Sequence, residues 1–191
     1  METNEQHDEY MLKFVLVGDS GVGKTSLISR FICNEFNAES KSTLGVDFGS
    51  TFAQMKDNRR IKLQVWDISG KERYQGIAPT YYRGAQCAFL LFDPTSLSSF
   101  VNLQVHWLEE IRRYASQRIK LVLIANKADL VKEGQQQREI SIQAAEKYAS
   151  DHDMLFFETS ALEDNTHIAD VFQSVAADIY DTLVSPSTDD G

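Results

Sequence analysis

The chain has 191 residues, 42% of them hydrophobic, enough to bury one ordinary core without disulfide or metal staples. Its 19 basic against 28 acidic side chains leave a formal net charge of −9, which repels a phosphate backbone and excludes a general nucleic-acid binder. Only two cysteines occur, Cys33 and Cys87, far apart and each in a mostly apolar stretch. That excludes a disulfide framework and a CxxC metal pattern, and both are expected as buried free thiols.

Residues 1–10 are polar and acidic, with neither the apolar stretch of a secretory signal nor the arginine-rich pattern of a transit peptide, and are expected to be flexible. No apolar run approaches the roughly 20 residues that a membrane-spanning helix needs. From residue 11 onward short apolar runs alternate with segments of helical periodicity, the pattern of a parallel sheet covered by helices on both faces. Residues 14–17 read as a first buried strand, and the segment after Gly23 as a helix with Leu27, Ile28 and Phe31 inward. Residues 46–55 and 61–67 are extended stretches joined by the polar turn 56–60, one antiparallel hairpin at the sheet edge. Residues 88–92 are strand-like, 98–114 show helical spacing through Val101, Val105, Leu108 and Ile111, and 119–125 are strand-like again. Residues 141–149 form a helix, 154–158 a last strand, and Ile168, Val171, Phe172, Val175, Ile179 and Leu183 stripe a final helix. The expectation is an α/β domain over residues 11–183, with six strands in a mostly parallel sheet and five helices. A short polar tail, 184–191, is expected to be disordered.

Directly after the first strand stands Gly18-Asp19-Ser20-Gly21-Val22-Gly23-Lys24-Thr25-Ser26, which fits GxxxxGK[ST] at the strand-to-helix junction where that pattern has mechanical meaning. Glycines let successive N–H groups curl around phosphate oxygens at a helix N-terminus, Lys24 offers a cation to the outer phosphates, and the Thr25 hydroxyl suits magnesium. This loop alone does not choose the base. Asn126-Lys127-Ala128-Asp129, at the end of the 119–125 strand, places a carboxylate that accepts two hydrogen bonds from the ring N–H and exocyclic amine of guanine. Adenine leaves that carboxylate unpaired, at a cost of several kcal/mol.

From about residue 11 to 183 the chain resembles the Ras superfamily and, within it, the Rab family of small GTPases, with the P-loop NTPase G-domain fold that this implies. Asp67-Ile68-Ser69-Gly70 is similar to the DxxG element, implying that Asp67 holds magnesium-bound water and that the Gly70 N–H meets the terminal phosphate. By the same resemblance Thr43 binds magnesium and senses that phosphate, and Phe36 packs against the base. Glu158-Thr159-Ser160-Ala161-Leu162 resembles the last guanine-binding element, with the Ala161 N–H on the base oxygen and Ser160 and Leu162 beside it.

Rab character rests on Leu44-Gly45-Val46-Asp47-Phe48, Lys62-Leu63-Gln64-Val65-Trp66-Asp67, Tyr81-Tyr82-Arg83-Gly84-Ala85 and Leu91-Phe92-Asp93-Pro94-Thr95. Phe48, Trp66 and Tyr81 match the aromatic trio that Rab-like proteins expose to effectors; each alone reads as core filling. The resemblance implies a monomeric GTP/GDP switch with Mg2+, partnered by an exchange factor, an activating protein and membrane-transport effectors. The expected place is the cytoplasm, with recruitment to the cytosolic face of endomembranes by a partner or a lipidated tail.

Two departures stand out. No cysteine follows Cys87 and no basic cluster marks the end, so stable membrane attachment by this chain alone is not expected. Where the family has glutamine after the DxxG glycine, this sequence has Lys71, counted with Thr43 and Gly70 as the catalytic positions. Slow GTP hydrolysis is therefore expected; the alternative is a constitutively GTP-bound interaction module that does not cycle.

Overall fold

The computed structural model describes residues 10–37, 43, 45–70, 78–163 and 165–184. Six strands form one sheet: β1 (Met11–Val17), β2 (Val46–Gln54), β3 (Arg60–Ile68), β4 (Cys87–Phe92), β5 (Lys120–Ala125) and β6 (Met154–Glu158). Their spatial order is β2-β3-β1-β4-β5-β6, and only the β2–β3 pair is antiparallel. Every residue of β4 is buried, as expected of a central parallel strand covered on both faces. In β3 burial alternates, because one face of that half of the sheet packs on the core and the other does not.

The helices are α1 (Lys24–Cys33), α2 (Ala78–Tyr82), α3 (Leu97–Asn102), α4 (Leu108–Tyr114), α5 (Ala128–Lys132), α6 (Ile142–Asp151) and α7 (Asn165–Val184). A π-helical turn, Leu103–Trp107, joins α3 to α4 in one continuous rod. Counting that rod once, the described residues hold six helices against the five counted from the sequence, of which four are placed there: α1, the rod, α6 and α7. The one-turn helices α2 and α5 are too short for periodicity to announce. Ser96 and Ser141 cap α3 and α6 through their hydroxyls, which accept from the N–H groups of Ser99 and Ala144.

Two apolar layers sandwich the sheet. Under α1 and α7 lie Phe14, Leu16, Leu63, Phe89 and Phe172, the last stacked on Phe31 at 4.1 Å and Phe89 at 4.6 Å. Beneath α3, α4 and α6 lie Val15, Leu90, Phe92, Leu103, Trp107 and Ile111. Val101 and Val105, expected inward, are exposed, and the buried stripe is instead Phe100, Leu103, Trp107, Leu108 and Ile111. At a regular 100° per residue Val101 and Val105 lie about 100° and 140° around the rod from Phe100, so a stripe read through the valines starts on the solvent side and meets the buried one only at Leu108 and Ile111. In α7 the inward stripe closes on Tyr180, while Leu183 is exposed past the sheet's end. Cys87 is buried as expected; Cys33 is exposed in the last turn of α1. Of the expected end segments 1–10 and 184–191, residues 1–9 and 185–191 lie outside the described residues, and Val184 closes α7 rather than opening the tail.

Candidate functional site

At the carboxyl ends of β1, β3, β5 and β6 opens a cleft of about 410 Å³. Ser20, Gly21, Gly23, Lys24, Thr25 and Ser26 line one side, Phe36, Thr43 and Gly70 another, and Asn126, Lys127, Asp129, Ala161 and Leu162 the far end. Open α/β sheets bind ligands at this rim because connections leave it in opposite directions and part there.

Gly23, at φ 94°, makes the left-handed turn into α1. Lys24 is buried and reaches back, its Nζ donating to the carbonyls of Gly18 at 2.8 Å and Asp19 at 2.9 Å. Burial pushes its ammonium down to about 8, against the raising pull of Asp67 and Asp19. The Val22 side chain sits in the core rather than the cleft, while its carbonyl accepts from Asn126 Nδ2 at 3.0 Å. Gly70 abuts the loop so closely that a Cβ there would collide with the backbone of Gly18, Asp19 and Ser20.

The hydroxyls of Thr25 and Thr43 lie 2.7 Å apart, and both donate to Asp67 Oδ2. Asp67 Oδ1 is buried with no hydrogen-bond partner among the described residues. One orphaned carboxylate oxygen beside two hydroxyls is a hard oxygen set, and it fits a small divalent cation such as Mg2+. Burial raises the Asp67 carboxyl above its ordinary range, opposed by Thr25 and Lys24, so a cation there would relieve a real desolvation cost. Ser69 fastens Thr43 to this cluster, its Oγ donating to the Thr43 carbonyl at 3.0 Å.

Asn126 ties the loops together. Besides its bond to Val22, its Oδ1 accepts from Thr159 Oγ1 at 3.2 Å. Lys127, at φ 67°, turns the chain into α5 and donates to Asp93 Oδ2 at 2.8 Å. Burial raises the Asp93 carboxyl, but Lys127 and Thr95 outweigh it and hold the group below the ordinary carboxylate range. Asp129 is 6% exposed, and Ser160, buried beneath it, donates from Oγ to its Oδ1. Arg30 secures the last loop by donating to the Ala161 carbonyl at 2.9 Å.

The structure thus gathers the sequence-predicted nucleotide and metal residues around one cleft, with Val22, Asp67 and Ser160 acting from behind its wall. Lys71 lies outside the described residues. The cleft also takes in Asn37, Ser69 and Leu130, each next to a residue singled out in the sequence. A further contact had no sequence signal: Asp19 accepts from Trp107 Nε1 at 2.8 Å and Asn102 Nδ2 at 2.7 Å, so the α3–α4 rod grips the glycine-rich loop. On the sheet, Phe48 and Trp66 stand opposite each other 4.8 Å apart, and Trp66 lies 5.5 Å from Tyr81, so the aromatic trio is contiguous.

Strand order, the strand-loop-helix at Gly18 to Thr25, and the cleft at the sheet's carboxyl rim define a P-loop nucleotide-binding domain. A Ras family profile matches residues 13–181. The chain is 42% identical over 187 residues to GTP-binding protein ypt3 of Schizosaccharomyces pombe, covering 98% of this chain and 84% of that one. It is 43% identical over 172 residues to Ras-related protein YPTC6 of Chlamydomonas reinhardtii, covering 90% of this chain and 76% of that one. The chain belongs to the Ras family, as a GTP-binding small GTPase of the Rab/Ypt kind.

Proposed function

We propose that the cleft holds GTP or GDP with Mg2+, and that the chain is a nucleotide-dependent switch in vesicle and membrane transport. The convergence of the glycine-rich loop, the Thr25–Thr43–Asp67 oxygens and the Asp129 carboxylate on one cleft carries this reading. Backbone N–H groups from Ser20 to Ser26, Val22 included, cradle the phosphates, and Lys24 leaves its two carbonyls for the outer oxygens. Thr25, Thr43 and Asp67 hold the cation, which when bound offsets phosphate charge. Asp129, held by Ser160, accepts from the guanine edge, the Ala161 N–H meets the base oxygen, and Phe36, Lys127 and Leu162 enclose the base. Asn126 keeps the phosphate and base halves in register.

Thr43 and Gly70 sense the terminal phosphate, and the Ser69 bond to the Thr43 carbonyl passes the state of one loop to the other. Lys71 replaces the glutamine that orients the attacking water; an ammonium donates and cannot accept, so intrinsic hydrolysis is slow. Phe48, Trp66 and Tyr81 face effectors, and exchange and activating proteins set the cycle. The protein works in the cytoplasm and at the cytosolic face of endomembranes to which partners recruit it; among the described residues no helix is long and apolar enough to cross a membrane. Denaturing the purified protein, identifying the released nucleotide and following single-turnover hydrolysis of loaded GTP tests the proposal. A guanine nucleotide is expected; release of adenine nucleotide would sink it.

A further inference from the structure

Between α1 and the β2–β3 edge of the sheet runs a slot of about 150 Å³ that shares Thr25 with the larger cleft but lies behind it. Thr25, Ile28, Ser29, Ile32 and Cys33 line it from the helix, at the i, i+3, i+4, i+7 and i+8 spacing of one helical face. Eight residues at 1.5 Å each make that wall about 12 Å long. From the sheet come Asp47 and Gly49 of β2, standing opposite Asp67 and Val65 of β3 in the antiparallel register. A Cβ on Gly49 would collide with Ile32 Cδ1, so the bare glycine leaves the isoleucine its room at the waist of the slot.

The chemistry of the slot is graded along its length. Ile28, Ile32 and Val65 make the waist apolar, Asp47 and Asp67 stand at the Thr25 end, and among the described residues no lysine or arginine lines it. Asp67 is 1% exposed; its Oδ2 accepts from the Thr25 and Thr43 hydroxyls, while its Oδ1 has no hydrogen-bond partner among the described residues. Lys24 attracts Asp67 electrostatically, but its Nζ donates to the Gly18 and Asp19 carbonyls instead. Burial raises the Asp67 carboxyl above its ordinary range, and the charge of Asp47 adds to this against the pull of the hydroxyls and Lys24. Two neighbouring carboxylates, one of them buried with an unused oxygen, favour a donor that brings positive charge.

We propose that this slot binds a short primary alkylammonium, with the ammonium between Asp47 and Asp67 and the carbon chain along Ile28, Ile32 and Val65. An ammonium carries three donors on a compact head, so it serves Asp67 Oδ1 and an Asp47 oxygen together. Asp47 is held in place for this, its Oδ1 accepting from the Phe48 N–H at 2.8 Å. A cavity of this volume takes a body of about six heavy atoms, the size of benzene, and n-pentylammonium matches it as a chain. A planar guanidinium is wider than the slot's apolar waist favours, and a carboxylate would meet two like charges. A neutral alcohol of the same length fills the waist but leaves the carboxylates without a charged partner. Because Mg2+ would draw on the same Asp67, the ammonium and Mg2+ oppose each other; this last point alone rests on the Mg2+ site proposed above.

The test titrates n-pentylammonium, 1-pentanol and pentanoate into the whole GDP-loaded chain and follows isoleucine methyl signals by NMR. Pentylammonium is expected to bind saturably with shifts at Ile28 and Ile32, about tenfold or more tighter than pentanol, and to weaken with salt, while pentanoate does not bind. Asp47→Asn, which keeps the shape and removes a charge, should weaken the amine about tenfold, and Ser29→Leu, which fills the slot, should abolish its binding. GDP retention, measured in parallel on each variant, is expected to stay unchanged and shows that the fold persists. Equal binding of amine and alcohol, shifts that avoid Ile28 and Ile32, or full binding in both variants would overturn the proposal. Raising Mg2+ should weaken the amine. Binding that meets every other criterion yet ignores Mg2+ keeps the slot and moves the cation off Asp67. Absence of amine binding while GDP is held in a Mg2+-dependent manner overturns the slot and leaves the nucleotide site standing.

Discussion

Replacing Asp129 by asparagine separates the base contact from the fold. Asp129 is 6% exposed, and one of its oxygens is already used by the Ser160 hydroxyl, whose oxygen also accepts from the N–H groups of Leu162 at 3.1 Å and Glu163 at 3.3 Å. Asparagine keeps an Oδ1 acceptor in that place, so the Ser160 anchor and the loop after β6 survive. What changes is the outward atom: an amide donor stands where a carboxylate oxygen accepted. Guanine presents two donors to that atom pair, and hydrogen bonds to a charged group contribute about 1.5–3 kcal/mol each. Losing the one that the amide can no longer accept costs on the order of 1.5–3 kcal/mol, or roughly 10- to 10²-fold in affinity. Xanthine, which carries an oxygen where guanine carries its amine, should gain. Competition of GDP and xanthosine diphosphate against a fluorescent guanine nucleotide, with Mg2+ present, measures both changes, and a thermal melt at fixed nucleotide checks that the fold persists. As a control, Ser160→Ala should weaken guanine without favouring xanthine, because it releases the carboxylate without altering its chemistry. An unchanged guanine preference in Asp129→Asn would show that the base sits elsewhere, and a loss without xanthine gain would reduce Asp129 to a structural residue.

Trp107→Phe keeps the buried ring but removes the N–H that Asp19 accepts at 2.8 Å; nucleotide dissociation should quicken by about tenfold, and an unchanged off-rate would limit the rod to packing. Gly70→Ala places a methyl against the backbone of Gly18, Asp19 and Ser20, at about 1–3 kcal/mol, and should weaken GTP relative to GDP; equal loss for both nucleotides counts against a role in sensing the terminal phosphate. Asp93 has its folded pKa below the unfolded value, so its stabilisation is complete above the unfolded carboxylate range and disappears as pH falls through the folded pKa. Asp93→Asn should therefore flatten the acid limb of urea-unfolding stability at fixed nucleotide, and identical limbs would refute the coupling with Lys127. Lys71→Gln should raise the single-turnover rate of GTP hydrolysis without an activating protein, by restoring a side chain that both accepts from water and donates to the phosphoryl oxygens; equal rates, or a faster wild type, would show Lys71 to be a solvated loop residue.

Short-range chemistry was legible in the sequence. The glycine-rich loop announces itself because only glycines permit the turns around phosphate, and Gly23 adopts the positive φ that its position demands. Asn126 to Asp129 are legible for a similar reason: a short segment at a strand end carries the fixed carboxylate to which the proposed base contact is assigned, and it lines the cleft. The apolar runs that became β4 and β5 needed no long-range information, since strands buried on both faces have no alternation to misread. Partnerships between distant residues were decided only by the tertiary structure. Trp107 reads as one more core aromatic until the π turn aims its N–H at Asp19, 88 residues earlier in the chain. Val101 and Val105 keep a helical spacing and still face solvent, because the buried side of a rod depends on which sheet it meets. The contiguity of Phe48, Trp66 and Tyr81 is likewise invisible in sequence order, where Asp47 and Asp67 sit beside Phe48 and Trp66; only the pleat of paired strands sends the carboxylates to the opposite side.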